Sequence, residues 1–381
     1  MCMDDLTSSL SSLGSVNIVI GENGCGKSEY LNTLAAGFVR EGVPVIAMAT
    51  SIYDKFKVKS KFFNFLGGRQ GKNVVEKTIK KALAYGPRKN QVGFTGLVRA
   101  LIYTKYEPII RVVVEGFGDE DDISKYSENL YSIEMVGAAN ILKTKLDFNR
   151  DGYSQKEGVY EFDLTASYSS STEGERLRDL LHSEARLKKL GLIKRLRLEL
   201  LRDGNVIPLS GASSGELMIL SGLVHMSTHI EVGCAIVIDE PENSLHPRWQ
   251  QQYISNVLDL FYRFEPRIII ATHSPLIIPF GNEKVRVFKK ASWGLFEVSV
   301  SSSNNEELLA EAFGVLTPEN RYLSDEMVKT LNSLSSGGIS LSSALDTVAI
   351  YKDRIYDERQ IKFLDDISSL MLEVKRVKPD A

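Results

Sequence analysis

Short, continuous apolar runs set the pattern of this chain. Val16-Asn17-Ile18-Val19-Ile20 stops at Gly21, Cys234-Ala235-Ile236-Val237-Ile238 stops at two acids, and Arg267-Ile268-Ile269-Ile270-Ala271 stops at Thr272. Runs of this length with no polar side are the mark of parallel strands covered on both faces. Residues 43–49 read as a further buried strand, and helical patterns fill residues 27–40 and about 248–263. Buried strands alternating with helices predict an α/β core in two halves, residues 1–54 and 205–302.

Residues 55–204 have another texture and read as a mixed α/β insertion with a helical arm. The stretch opens basic, with Lys55, Lys57, Lys59, Lys61, Arg69, Lys72, Lys77, Lys80 and Lys81, and Phe56, Phe62, Phe63 and Phe65 are interleaved. That mixture suits either stacking against nucleic-acid bases or plain core packing. An acidic loop follows at 119–122, then a Ser-rich stretch at 167–172 and a charged helix over 173–190. Next comes a hairpin of 194–201 and 206–209 turning at Asp203-Gly204. The basic run Arg186, Lys188, Lys189, Lys194, Arg195, Arg197 reads equally as a nucleic-acid track or a solvated face. Residues 303–381 form a helical tail, with Leu308, Leu309, Ala312 and Phe313 as one apolar set. Ile361, Phe363, Leu364, Ile367, Leu370 and Met371 make another. So short a segment buries little surface alone, so the expectation is that it packs on the core or on another chain.

Composition narrows the class. The 381 residues carry 46 Lys+Arg against 49 Asp+Glu, a net charge of −3, so no overall basic field advertises a nucleic-acid partner. Hydrophobic residues at 43% and charged residues at 25% exclude a largely disordered chain. Cys2, Cys25 and Cys234 are too scattered for a disulfide framework or a metal pair. No apolar run is long enough for a membrane helix, and MCMDDLTSSL lacks the basic and apolar parts of a signal peptide, so the expectation is a cytoplasmic protein with no membrane partner.

The chemistry gathers at the strand ends. Gly21-Glu22-Asn23-Gly24-Cys25-Gly26-Lys27-Ser28 fits G-x-x-x-x-G-K-[ST] between a buried strand and a helix. Its glycines let backbone N–H groups turn inward around a phosphate at the positive end of a helix. Lys27 supplies a charge to the β- and γ-phosphates and Ser28 a hydroxyl ligand for Mg²⁺, which makes ATP and Mg²⁺ the expected cofactors. Asp239, at the tip of an apolar strand, is placed to hold Mg²⁺ through water, and Glu240 to orient and deprotonate an attacking water. Ser213-Ser214-Gly215-Glu216 opens a helix and forms a second anion site, though alone it is an ordinary N-cap. His273, at another strand tip, can touch a γ-phosphate and sense its loss. His225 and His229 lie four apart on a helix without a third ligand, which favours packing over a metal site. Cys25 fills a variable position of the loop.

Together these residues resemble the ABC-type ATPase superfamily. Residues 21–28 match its Walker A loop, 213–216 its signature motif, 236–240 its Walker B strand, 242–247 (ENSLHP) its D-loop, and His273 its switch histidine. The wording SSGE, DEPENSLHP and ATHSP is closer to the OLD/RecF/SMC-like bacterial ATPases than to transporters, and residues 51–56 and 65–69 resemble Septu- and retron-associated phage-defence ATPases. Two departures stand out. No glutamine stands out as that of the Q-loop; Gln70 and Gln91 are the candidates, and neither is assigned. No D-x-D pair follows residue 303, so the nuclease domain that OLD proteins append is not expected here; Asp365-Asp366 reads as a solvated helix face.

The resemblance implies an ABC-type P-loop ATPase head, a homodimer with ATP sandwiched between Walker loop and signature serine, and ATP hydrolysis. It further implies a switch subunit of an anti-phage defence complex gating a separately encoded effector, a nuclease. Its alternatives are a RecF/SMC-like DNA-repair ATPase acting on DNA directly, with nucleic acid as partner, and an ATP-bound scaffold with little hydrolysis.

Overall fold

The structure is a computed structural model that describes residues 16–51, 54–68, 71–89, 91–116, 157–165, 172–279, 284–291, 294–298, 321–353 and 358–377. Gln70, the acidic loop at 119–122, most of the Ser-rich stretch and the set Leu308, Leu309, Ala312, Phe313 lie outside the described residues. In chain order the first elements are β1 (Val16–Ile20), α1 (Lys27–Arg40), β2 (Val45–Ala49), β3 (Phe63–Gly67), α2 (Gly71–Lys89), α3 (Gln91–Tyr103), β4 (Ile109–Glu115) and β5 (Glu157–Asp163). Next come α4 (Thr172–Lys189), β6 (Arg195–Arg202), β7 (Asn205–Pro208), α5 (Ser214–His229), β8 (Ala235–Asp239), α6 (Pro247–Phe261) and β9 (Arg267–Thr272). The last are β10 (Val285–Ala291), β11 (Gly294–Val298), α7 (Arg321–Ser335), α8 (Leu341–Lys352) and α9 (Glu358–Val377). The described residues divide into two compact units, Ser28–Ile270 and Val16–Lys27 with Ala271–Ala381.

In the first unit β2 runs parallel to both β8 and β3, with Val45 opposite Ala235 on one side and Phe63 on the other. β9 lies beyond β8. Every residue of β2 and β8 is buried, as an apolar run without alternation demands of a strand covered on both faces. β3, with the sequence FNFLG and mostly half-buried, is a strand the apolar pattern did not announce. A second, antiparallel sheet has the order β5-β4-β6-β7. Its β6–β7 hairpin turns where expected, with Asp203 at φ 52° and Gly204 at φ 73°, the pair of positive angles that a tight two-residue hairpin needs. Arg195 and Arg197 of the basic run lie 2.6 and 2.9 Å from the Glu115 carboxylate on the neighbouring strand, so these two charges stabilise the sheet instead of lining a track. Small residues let α3 lie close on α5: a Cβ on Gly96 would sit 1.8 Å from Ser227 Oγ.

In the second unit β1, wholly buried, runs parallel to β10, with Val16 opposite Val285, and β11 returns antiparallel to β10. The tail corrects an expectation. Its helices α7, α8 and α9 pack on one another around Leu323, Met327, Leu334, Ala344, Val348, Leu364 and Met371. Each helix has one apolar stripe, and three stripes close into a shared core where one could not. Ile361, Phe363 and Ile367 line that core, while Leu370 stays exposed. Asp365 and Asp366 are exposed, as a solvated face requires. Among the described residues no helix is long and apolar enough to cross a membrane.

Candidate nucleotide site

The loop after β1 is built by its glycines. A Cβ on Gly21 would fall 2.5 Å from the Lys290 carbonyl oxygen and 2.8 Å from Cys25 Sγ. Gly24 and Gly26 adopt φ angles of 82° and 88°, a left-handed backbone that side chains resist, and nothing lies within 4 Å of where their Cβ atoms would be. Lys27 is almost buried and curls back over the loop, its Nζ donating to the carbonyls of Gly21 (2.7 Å) and Glu22 (3.0 Å). Asn23 and Gly24 are exposed, Cys25 and Gly26 half-buried, and Ser28 is the next residue of α1. The loop thus offers a lysine ammonium and open space at the start of a 14-residue helix, a cradle that fits a polyphosphate.

The acids after β8 sit in a strained turn. Asp239 ends the strand and is buried, and Glu240 follows at φ 52°, a conformation that costs a non-glycine residue of order 1–3 kcal/mol. Two neighbours hold it there. Thr50, at the end of β2, donates its N–H to the Asp239 carbonyl (3.3 Å) and its hydroxyl to the Glu240 carbonyl (2.5 Å). Asn243 donates its side-chain N–H to Glu240 Oε2 at 2.9 Å. Thr50 was not singled out from the sequence, where a polar residue closing an otherwise apolar strand was its only signal, and Asn243 entered only as a member of the D-loop stretch 242–247.

The motif at 213–216 is a capping box. Ser213 Oγ accepts from the Glu216 N–H (3.3 Å), and Glu216 Oε2 accepts from the Ser213 N–H (2.9 Å). Behind it lies a network with no sequence signature. Tyr106 donates its hydroxyl to Glu216 Oε2 at 2.8 Å, Arg202 donates to Glu216 Oε1 at 2.5 Å, and the guanidinium lies 4.1 Å over the Tyr106 ring. Burial pushes the Glu216 carboxyl up, but hydrogen bonds from Arg202, the Ser213 backbone and Tyr106 outweigh it and hold it below its ordinary range. Ser213 and Ser214 stay exposed in front of this buried anchor. Gly215 has to be glycine, because a Cβ there would meet the Ser244 carbonyl at 2.4 Å. The turn at 240–245 therefore rests directly on the start of α5. His246 and Pro247 then open α6, with His246 Nδ1 accepting from the Arg248 N–H.

The structure thus joins the start of α5 to the turn that carries Glu240. Ser28, Asp239 and residues 213–216 belong to the same unit as Glu240, while residues 21–27 and His273 belong to the other. His273 is exposed at the end of β9, in a turn held by Ser274 N–H donating to Thr272 Oγ1 (3.0 Å).

Residues 118–278 match the family described as "AAA domain, putative AbiEii toxin, Type IV TA system", a span that takes in the signature stretch and both strand-end acids. The chain is also 25% identical over 163 residues to the energy-coupling factor transporter ATP-binding protein EcfA2 of Clostridium tetani, covering 43% of this chain and 52% of that one. Both matches agree with the likeness to ABC-type P-loop ATPases that the motifs carry. It spans about half the length of the curated relative it matches. Among solved structures it is similar to the Smc head domain from Pyrococcus furiosus bound to the C-terminal domain of ScpA (10% identity, 79% of this chain, 94% of that, TM-score 0.29). Another similar structure is UvrA2 from Deinococcus radiodurans (14% identity, 82% of this chain, 37% of that, TM-score 0.28).

Of the remaining candidates, His225 and His229 behave as packing residues. Their rings lie 4.6 Å apart, and no cluster of metal-ligating side chains occurs among the described residues. Burial, with the nearby His229 and Lys81, pushes His225 down to about 3 against a single favourable contact with the Asn64 carbonyl. His225 is therefore neutral in the fold and protonates near pH 6.5 when unfolded. Between pH 6.5 and about 3 the unfolded chain binds the extra proton, so stability falls as pH falls, by up to about 1.4 kcal/mol per pH unit. The variant His225→Gln is expected to lose much of that slope in urea unfolding between pH 6.5 and 4.5. Equal slopes in both proteins would show that His225 is not the titrating group.

Proposed function

We propose that this chain binds and hydrolyses ATP between two copies of itself, as the switch subunit of an anti-phage defence complex that gates a separately encoded nuclease. The observation that carries the reading is the exposed pair Ser213 and Ser214, standing at the positive end of a 16-residue helix whose capping carboxylate is locked from behind. That is an anion site aimed outward. The defence setting rests on the wording of residues 213–216, 239–247 and 271–275, and on a matched family whose description names a toxin–antitoxin system.

Ser28 and Asp239 are the groups that would hold Mg²⁺, which neutralises charge on the β- and γ-phosphates when bound with ATP. Lys27 exchanges its two loop carbonyls for phosphate oxygens. Glu240 accepts the proton of the attacking water, oriented by Asn243 and by the fixed backbone of its turn. Ser213 of a second copy donates to the γ-phosphate, and His273 senses its departure. The tail, which holds a core of its own, is free to serve as the docking part for the effector.

A mixing experiment tests the two-copy site. Ser213→Arg and Lys27→Ala are each expected to be inactive as ATPases, the first still binding ATP. An equal mixture regains activity, because half of the dimers are mixed and one of their two sites is intact, roughly a quarter of all sites. A mixture as dead as its parents, with ATP-bound protein that stays monomeric in light scattering, would place the whole site in one chain.

A further inference from the structure

Residues 55–61 read Lys-Phe-Lys-Val-Lys-Ser-Lys, and the fold sorts them cleanly. Lys55, Lys57, Lys59 and Lys61 are exposed, while Asp54, Phe56, Val58 and Ser60 are half-buried. Up to Ser60 this is the alternation of an extended chain with its lysines on the outer side, and the chain then turns at Lys61 and Phe62, where the Phe63 N–H donates to the Ser60 carbonyl at 3.2 Å. The inner side is anchored. Phe56 packs against Phe65 and Phe63 with ring centroids 5.4 and 6.1 Å away, and the Lys57 N–H donates to Asn32 Oδ1 at 2.9 Å. The strip runs into β3, the end strand of its sheet, so no further strand covers this edge among the described residues.

The four lysines differ from the paired cations of the unit. Lys80 lies 2.9 Å from Glu76 and 3.1 Å from Glu184, and Arg195 and Arg197 share Glu115. None of Lys55, Lys57, Lys59 and Lys61 is ion-paired with a described residue. Lys61 Nζ lies 5.0 Å from the Phe62 ring centroid, and Phe62 is itself 38% exposed. A chain with net charge −3 thus carries, within seven residues, four lysines that no described residue neutralises. At physiological salt each acts only over roughly 8 Å, so the strip is felt locally whatever the overall charge.

The spacing suits one ligand chemistry. An extended chain rises about 3.3 Å per residue, which puts successive lysines about 6.6 Å apart. A stacked nucleic-acid strand carries one phosphate per about 3.4 Å, or about 6.8 Å for every second one. Strip and strand can therefore run side by side in register, one lysine to two phosphates, along residues 55–59, and Lys61 adds a fourth charge on the turn that follows. The exposed Phe62 ring at the end of the strip offers a face for a base. We propose that residues 55–62 dock the backbone of a single-stranded nucleic acid, with one base stacked on Phe62. This inference is independent of the ATPase assignment, since none of these side chains belongs to the nucleotide site.

The test uses the full chain and a fluorescent oligothymidylate of about 20 nucleotides, titrated by anisotropy across a salt series. The variant carrying Lys55→Gln, Lys57→Gln, Lys59→Gln and Lys61→Gln should bind at least about tenfold more weakly at physiological salt. Its salt slope should flatten by about 3, close to 0.7 per lost phosphate contact. The half variants, Lys55→Gln with Lys57→Gln and Lys59→Gln with Lys61→Gln, should each lose about half of that slope. They serve if the fourfold variant fails to fold. Phe62→Ala should cost at least about fivefold on the single strand and little on a duplex of equal length. Wild-type protein that does not bind, or lysine variants that bind as wild type does, overturns the proposal. A duplex bound as tightly as the single strand, with no effect of Phe62→Ala on either, overturns the single-strand assignment. Lysine-dependent capture by phosphatidylserine vesicles at matched phosphate concentration overturns the nucleic-acid class.

Discussion

The Glu240→Gln protein is expected to bind ATP as the parent does and to turn it over at least about 100-fold more slowly, the usual range for loss of a general base. The geometry makes the substitution clean. Glutamine keeps the oxygen that accepts from Asn243, and the backbone at φ 52° is held by Thr50 through main-chain atoms that the change leaves alone. A slow variant with an unaltered unfolding midpoint therefore reports on proton transfer and not on the turn. Lys27→Ala should fail earlier. It removes the nearly buried ammonium that two loop carbonyls now hold, and with it the charge that a phosphate would take up, so nucleotide binding itself is lost. Steady-state phosphate release together with binding of a fluorescent ATP analogue separates the two effects. Unchanged turnover in Glu240→Gln would remove the residue from its assigned role.

How much of this was legible in the sequence depends on range. β1, β8 and β9 are continuous apolar runs ended by a glycine, an acid or a threonine, and burial on both faces leaves them no other reading. The turn at Asp203-Gly204 is equally local, since two positive φ angles require that kind of pair. β3 escaped because its half-buried FNFLG neither alternates nor stays apolar, and its place is set by pairing with β2. The tail helices showed their stripes but not their partners, because the choice among core, foreign chain and one another is a tertiary one. At the candidate site the motif residues were legible and their supports were not. Ser213 and Glu216 announce a capping box three residues apart, whereas Tyr106 reaches Glu216 from 110 positions away. No spacing rule reports such a contact.

Those hidden supports predict the second large effect. Among the described residues Arg202 is the one guanidinium bonded to Glu216, whose side chain is only 11% exposed, and it also donates to the Thr104 carbonyl at 3.1 Å. Arg202→Met removes the countercharge and leaves a mostly buried carboxylate held by Tyr106 and the start of α5. Breaking a fully buried pair costs about 3–5 kcal/mol, and because the Arg202 side chain is itself 31% exposed the loss here should be nearer 1–3 kcal/mol. The protein is expected to unfold several degrees lower. Its ATPase rate should fall further than stability alone explains, since a carboxylate seeking water pulls the cap away from Ser213. Arg202→Lys should recover only part of this, because an ammonium cannot both bond Glu216 and lie flat over the Tyr106 ring. The decisive comparison is the pair Arg202→Met with Glu216→Gln. Glutamine at that position still closes a capping box and carries no charge to strand, so the double variant should be more stable and more active than Arg202→Met alone. Additive losses, with the double variant the worst of the three, would mean that Arg202 acts by packing and not by holding the Glu216 charge.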